Sequence, residues 1–276
     1  MATEPAFWGL RRRALDALAA VHLARPAVRV YEFWLALRSR LRESPRQAPD
    51  GLPLPPARLR VQVGPRHADA DYFFSSGRQQ ADLVRALVRE DGATIDDFDA
   101  LLDWGCGCGR VLRHWKDLPQ TQVAGCDINP ELVAWCDEHL SFADVRVNEL
   151  APPLPFAEAC FDLVYAFSVF THLTVGLQQA WMRECFRVLK PGGRLAFSTM
   201  GAHYLRLGRL NEAERCEFER GNVVVLYEDA PGTSLCSAYH PPEYVRGELT
   251  SDFELASSRP ASDYGRHDVY LVRKPA

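Results

Sequence analysis

Between residues 78 and 200, short, mostly apolar runs alternate with stretches of helical spacing, and this rhythm constrains the fold more than any other feature of the chain. The runs are Ala100–Trp104, Gln122–Cys126, Val145–Val147, Leu163–Phe167 and Leu195–Ser198. Between them helices are predicted over Gln79–Glu90, Arg110–Trp115, Pro130–Leu140 and Val175–Leu189. Strands with so little polar periodicity belong to a parallel sheet covered on both faces, so the class is α/β. Lys190-Pro191-Gly192-Gly193 ends the last helix, because proline cannot continue it and glycine turns freely into the next strand. Beyond Met200 the rhythm breaks. Residues 203–220 read as a charged helix, Asn222–Glu228 as a strand and Gly232–Arg246 as irregular, so 203–246 is expected to be a cap insertion. Two closing runs, Phe253–Ser257 and Asp268–Arg273, are joined by a turn-rich stretch around Gly265. They predict a hairpin that places an antiparallel strand at the sheet's edge or within it.

The first 56 residues differ in kind. Arg11, Arg12, Arg13, Arg38, Arg40 and Arg42 interleave with Trp8, Leu15, Leu18, Leu23, Phe33, Trp34 and Leu37, a pattern of two amphipathic helices. Pro45, Pro49, Gly51, Pro53, Pro55 and Pro56 form a linker, which predicts an arm over 1–56 and a main domain over 57–276. The arm's apolar sides are expected to pack on the main domain, with lid, homodimer or membrane-surface contact as alternatives. A hydrophobic content of 47% over 276 residues supplies the core of one large domain. The net charge of −4 gives no positive field for a phosphate backbone, which disfavours nucleic acid as a substrate. Eight cysteines without a CxxC pair read as free thiols rather than a metal site. No run approaches the roughly 20 apolar residues that span a bilayer, and the amino terminus has no signal-like core, so a cytoplasmic location is expected.

The chemistry is concentrated in Leu101-Leu102-Asp103-Trp104-Gly105-Cys106-Gly107-Cys108-Gly109-Arg110. A strand runs into an acid and three alternate glycines, the residue type needed where a backbone turns tightly and approaches a ligand. The spacing is G-x-G-x-G with an acid two residues ahead, whereas a pyrophosphate-binding turn favours G-x-G-x-x-G. Asp127 closes the next run, 18 residues after Gly109. A carboxylate there can accept both hydroxyls of a ribose, although Asp127 could equally cap the helix that follows. The carboxyl end of the fourth run, Phe167-Ser168-Val169, must face the same crevice, where open α/β sheets bind ligands. Tyr165, Phe167 and Phe170 read as core more readily than as ligand contacts.

These residues, together with Leu189-Lys190-Pro191-Gly192-Gly193, resemble the class I S-adenosylmethionine-dependent methyltransferases over roughly residues 70–275. The resemblance implies a Rossmann-like, seven-stranded, mostly parallel sheet with a C-terminal antiparallel hairpin and helices on both faces. It implies S-adenosyl-L-methionine as cofactor, S-adenosyl-L-homocysteine as product, and no metal. Asp103, Gly105, Cys106, Gly107 and Gly109 would line the methionine part, Asp127 the ribose, and Ile128, Asn148, Glu149 and Leu150 the adenine. Phe167 and Ser168 would lie below the methionine, and Arg78 is a candidate for its carboxylate.

Methyl transfer needs an aligned nucleophile, and a hydroxyl acceptor also gains from a base of near-neutral pKa. His172, just past the fourth run, and His240, in the expected cap, are the candidate catalytic residues, with His203 and Tyr204 as further pocket candidates. The Asn/Asp-Pro-Pro-aromatic signature of many amine-methylating relatives is replaced by Ser168-Val169-Phe170. A small-molecule acceptor, methylated on oxygen, is therefore expected. Three alternatives stand: a protein, lipid or RNA acceptor recruited by the basic arm; a binding protein without methyl transfer; and a Rossmann-type oxidoreductase, which the glycine spacing opposes.

Overall fold

The computed structural model describes residues 4–20, 47–261 and 266–276, with positions 23, 26–27, 30–31, 33–34 and 37–38 between them. Most of the second arm helix, Pro45 and the turn around Gly265 lie outside the described residues. In chain order the main elements are α1 (Glu4–Ala20), α2 (Ala57–Val63), α3 (Ala70–Glu90), β1 (Ala100–Trp104), β2 (Gln122–Asp127), α4 (Pro130–His139), β3 (Ala143–Val147) and β4 (Phe161–Ala166). They continue with α5 (Val175–Val188), β5 (Leu189–Thr199), α6 (Glu212–Glu219), β6 (Val224–Leu226), β7 (Ser237–Tyr239), β8 (Glu254–Arg259) and β9 (Asp268–Arg273).

Seven strands form one sheet in the order β3-β2-β1-β4-β5-β9-β8. Strands β1 to β5 pair in parallel, and β9 runs antiparallel to both β5 and β8. The hairpin therefore inserts its second strand inside the sheet, and its first becomes the edge. Neighbouring residues along each strand serve opposite cores, as the two-residue period of a strand requires. Leu101, Leu163, Tyr165 and Leu271 face α3 and α4, whereas Leu102, Val164, Phe197 and Tyr270 face α5.

Three expectations shift in register. The helix expected from Gln79 begins at Ala70, because the Asp69 side chain accepts from Tyr72 N–H (2.7 Å) and caps it. The stretch after the glycine triplet holds only a 3₁₀ turn over Leu112–Trp115. The charged stretch 203–220 splits into a 3₁₀ turn over Ala202–Leu207 and α6, parted by Gly208 in the left-handed region. The 202–249 segment also carries a two-stranded sheet of β6 and β7. Met200, Tyr204, Leu207, Phe218, Leu226 and Tyr239 give it a small core of its own. Helix α1 docks there: Leu15, Leu18 and Ala19 pack on Ala230 and Leu235, and Arg12 pairs with Glu214 (2.9 Å).

Candidate functional site

Strands β1, β2 and β4 end together, and the three glycines turn the chain away from β1 with φ of 80°, 55° and 77°. Gly105 and Cys106 donate their N–H groups to the Cys126 carbonyl at 2.8 and 3.0 Å, tying the loop to β2. At Gly107 a side chain would be strained, and its Cβ would sit 2.8 Å from Cγ2 of Val63, because α2 lies directly on the loop. A Cβ on Gly105 would meet Val169 at 2.5 Å. The glycines thus admit close cover from α2 and from the residue after Ser168.

Asp127 locks this arrangement. One carboxylate oxygen accepts from Gly107 N–H and the other from Asn129 N–H, both at 2.9 Å. The helix cap itself is Asn129, whose side chain accepts from Glu131 N–H at 3.0 Å. Burial raises the pKa of Asp127, opposed by these amides. Each oxygen keeps further lone-pair capacity.

Asp103 is buried at the end of β1, and burial pushes its pKa up to about 7 despite the Tyr165 hydroxyl and the nearby Arg110 guanidinium. Tyr165 in turn accepts from the Trp115 indole N–H at 2.8 Å. Asp103 Oδ2 has no hydrogen-bond partner. A buried acceptor of this kind suits an ammonium group, and the amino group of S-adenosylmethionine offers one. Arg110 is half-buried near it and donates to Gln80. Both were invisible as site residues from the motif alone, because α3 brings Gln80 in from 30 positions upstream.

At the β3 end, Asn148 is buried, donates to the Glu149 carbonyl at 2.8 Å and leaves Oδ1 unpartnered, an acceptor for an exocyclic amino group. Ile128 and Leu150 are exposed by 42% and 37%, unusual for such side chains beside a crevice, and they offer apolar faces for a flat base. Gly232 of the 202–249 segment lies against both. Cys106 and Phe167 are buried, and Glu149 is exposed. These side chains have the chemistry an adenosyl sulfonium would need: Asp103 would take an ammonium, Asp127 would face a ribose, and Asn148 with Ile128 and Leu150 would receive an adenine. Arg78 instead stacks over Phe74 and lines a hollow of about 300 Å³ with Asp50, Arg85 and Lys116.

Ser168 follows β4 in the left-handed region (φ 62°), a strained geometry for serine that recurs at functional sites. Its N–H donates to Ser198 Oγ at 2.9 Å. His172 is half-buried, its Nδ1 lies 2.7 Å from the Cys236 carbonyl, and burial lowers its pKa. His240 is 0% exposed, burial drives its pKa down to about 3, and neither ring nitrogen has a partner. The sequence reading did not single out His267, at the start of β9. Its Nδ1 lies 3.2 Å from Ser168 Oγ and 3.3 Å from Ser198 Oγ, and its ring is 5.8 Å from Tyr204. Only the reversed strand β9 brings it to this end of the sheet, and no local pattern announces that. Tyr204 flanks it from the 202–249 segment, with Tyr239 and His203 beside Tyr204.

Comparison with known proteins agrees with this fold. Residues 102–197 match the family described as "Methyltransferase domain". A malonyl-[acyl-carrier protein] O-methyltransferase of Herminiimonas arsenicoxydans is 36% identical over 151 residues, covering 51% of this chain and 53% of that protein. A 27-O-demethylrifamycin SV methyltransferase of Amycolatopsis mediterranei is 31% identical, covering 52% and 55%. The chain thus spans about half the length of these curated relatives. Among solved structures, a 1,6-didemethyltoxoflavin-N1-methyltransferase of Burkholderia thailandensis with S-adenosylhomocysteine bound superposes with a TM-score of 0.52 at 16% identity, covering 78% of this chain and 84% of that one. The PH0226 protein of Pyrococcus horikoshii gives 0.53 at 18% identity, covering 71% and 90%. Among the described residues no helix is long and apolar enough to cross a membrane, and no group of three or more metal-ligating side chains occurs.

Proposed function

Because the chain carries a class I S-adenosylmethionine-dependent methyltransferase domain, we propose that it transfers a methyl group to an oxygen of a small-molecule acceptor. When bound, S-adenosylmethionine supplies a methyl group on a cationic sulfur, which an acceptor oxygen takes with loss of its own proton, leaving S-adenosylhomocysteine. The observation that carries this reading is the unpartnered Oδ2 of Asp103, buried beside a glycine loop that Asp127 pins to β2. Asp103 takes the ammonium, Asp127 the ribose, and Asn148 Oδ1 with Ile128 and Leu150 the adenine.

The acceptor sits at Ser168. His172 has its Nδ1 hydrogen committed to a carbonyl, which leaves Nε2 bare as the base, and a lowered pKa keeps the ring neutral at pH 7. His240, sealed on all sides, supports the wall behind the acceptor rather than the transfer itself. The 203–246 stretch acts as the cap, and residues 1–56 form an arm whose α1 holds that cap in place. The two sequence relatives, an O-methyltransferase and a methyltransferase of an O-demethyl compound, support oxygen over nitrogen.

One observation favours a second reading, a macromolecular acceptor or partner recruited by the arm. At the described positions between Pro26 and Arg38 the chain is helical, and Val30, Phe33 and Trp34 are 67%, 70% and 53% exposed. Calorimetry with the full chain tests the first step: S-adenosylhomocysteine binds and NADH does not. Binding of NADH alone would sink the methyltransferase reading.

A further inference from the structure

The partners of two histidines in the proposed acceptor site favour opposite tautomers, and that asymmetry limits what they can hold. His172 Nδ1 lies 2.7 Å from the Cys236 carbonyl, which can only accept, so Nδ1 carries the hydrogen and Nε2 is a bare acceptor. His267 is set the other way. Ser198 is 1% exposed, and its Oγ already accepts from Ser168 N–H. Its own hydroxyl hydrogen therefore needs an acceptor, and His267 Nδ1 lies 3.3 Å away, with Ser168 Oγ also 3.2 Å from that nitrogen. With Nδ1 accepting, His267 carries its hydrogen on Nε2 and is a donor.

Among the described residues the hydrogen bonds of both histidines run through Nδ1, and both rings are half-buried, in contrast to His240, which is sealed. The two rings flank Ser168: His267 touches its hydroxyl, and His172 follows four residues later in the turn Phe170–His172. His172, Arg209 and His203 are the charged or titratable groups that act electrostatically on the His267 ring, with Asp268 next to it in the chain. Burial, reinforced by the Arg209 guanidinium, lowers the pKa of the ring and keeps it neutral.

Resting on the methyl-transfer reading above, we propose that the acceptor is a hydroxyl compound with a second, hydrogen-bond-accepting oxygen close to the reacting one, as in a hydroxy-carbonyl compound or a diol. The reacting hydroxyl gives its proton to Nε2 of His172 as the oxygen is methylated. His267 donates its Nε2–H to the neighbouring oxygen and fixes which hydroxyl faces the methyl group. A molecule with an isolated hydroxyl leaves that donor unmatched in the site and binds less well.

The tautomers are read without any acceptor. Long-range 15N–1H correlation spectra of the 15N-histidine-labelled full chain at pH 7, assigned with His172→Gln and His267→Gln, should show the Nδ1–H form at His172 and the Nε2–H form at His267. The Nδ1–H form at His267, or an imidazolium at either site, overturns the proposal. Incubation of S-[methyl-13C]adenosylmethionine with a bacterial metabolite extract should yield methoxy products bearing another oxygen within two or three bonds of the methoxy-bearing carbon. A labelled N-methyl product or an isolated methoxy group overturns this proposal alone. No labelled product from a chain that binds S-adenosylhomocysteine overturns the transfer reading and this inference with it. With the identified acceptor, His267→Leu should raise KM about tenfold with a smaller change in kcat, and His267→Gln, which keeps a donor, should recover most of that loss. His172→Leu should instead lower kcat about 100-fold. Equal loss of kcat and KM effects in both His267 variants would mark a merely structural role.

Discussion

The crevice at the ends of β1 and β2 and the 202–249 segment that covers it are built in opposite ways. In the crevice almost every constraint is local. Gly105 and Cys106 bond to Cys126, and Asp127 bonds back to Gly107, all within a span of 23 residues. The covering segment has only short elements, three-residue strands and an eight-residue helix among them. It is held by partners from afar: Asp16 accepts from the Tyr227 hydroxyl at 2.7 Å across 211 positions. A site whose geometry is written in adjacent residues can be recognised and disabled by one change. A cover assembled from distant contacts distributes its stability.

The largest expected effect tests the local half. Gly107→Ala places a β-carbon in the left-handed region and against Val63, costing roughly 1–2 kcal/mol in backbone strain alone. S-adenosylhomocysteine affinity should fall at least about 100-fold, because the loop must shift at the point where Asp127 grips it. Unchanged affinity in calorimetry would show that the loop does not shape the cofactor site. Asp127→Ala comes next, with an expected loss of about 1–3 kcal/mol in cofactor binding from the missing charge-assisted bonds. A thermal shift by S-adenosylhomocysteine equal to that of the parent chain would remove Asp127 from the ribose.

This contrast also explains how much was legible beforehand. β1 and β9 were bounded correctly from their apolar runs, and the crevice could be assembled because its acid and glycines lie in register along the chain. The parallel, doubly covered character of the sheet followed from the alternation of strands and helices, whereas the strand order did not. What stayed hidden came from tertiary partners. The start of α3 at Ala70 depends on a single Asp69 cap, and Arg110 with Gln80 becomes a pair only when α3 folds over the loop. His267 reaches Ser168 only because β9 runs against its neighbours, and the sequence left open whether that strand would lie at the edge or inside the sheet. His240, flagged from its setting between Tyr239 and two prolines, turns out fully enclosed, a property no local pattern carries.

That enclosure gives a third test, on the distant half. The folded pKa values of His240 and His267 are driven down to about 3 by burial, from an ordinary value near 6.5. Between these values the unfolded chain binds the proton and the folded chain does not, so stability is full above pH 6.5 and is lost as pH falls toward 3. Replacing His240 with Phe should flatten this slope and, by removing two buried nitrogens without partners, raise stability at pH 7 by about 1 kcal/mol. Urea unfolding followed from pH 7 to pH 4 measures both. A steeper acid slope in the variant would mean the ring is protonated and paired in the folded state.

The smallest effect concerns the arm. Arg12 donates to Asp16 at 2.8 Å and to Glu214 at 2.9 Å, and lies 5.5 Å over the Tyr227 ring, where the chain takes a strained φ of 55° before entering the loop that leans on Ile128 and Leu150. The ion pairs are partly solvated, so Arg12→Ala should cost only about 0.5–1 kcal/mol of global stability. Its signature should instead be local. Hydrogen exchange should quicken at the Ala230 and Gly232 amides, which bond to the Tyr227 and His172 carbonyls, while Gly105 and Cys106 stay protected. Because the Cys236 carbonyl on the same loop orients His172, loosening the loop should also weaken that ring's hold on one tautomer. Equal exchange at the Gly105 and Gly232 amides would mean that cover and crevice open as one unit, and that the division between them is one of legibility rather than of mechanics.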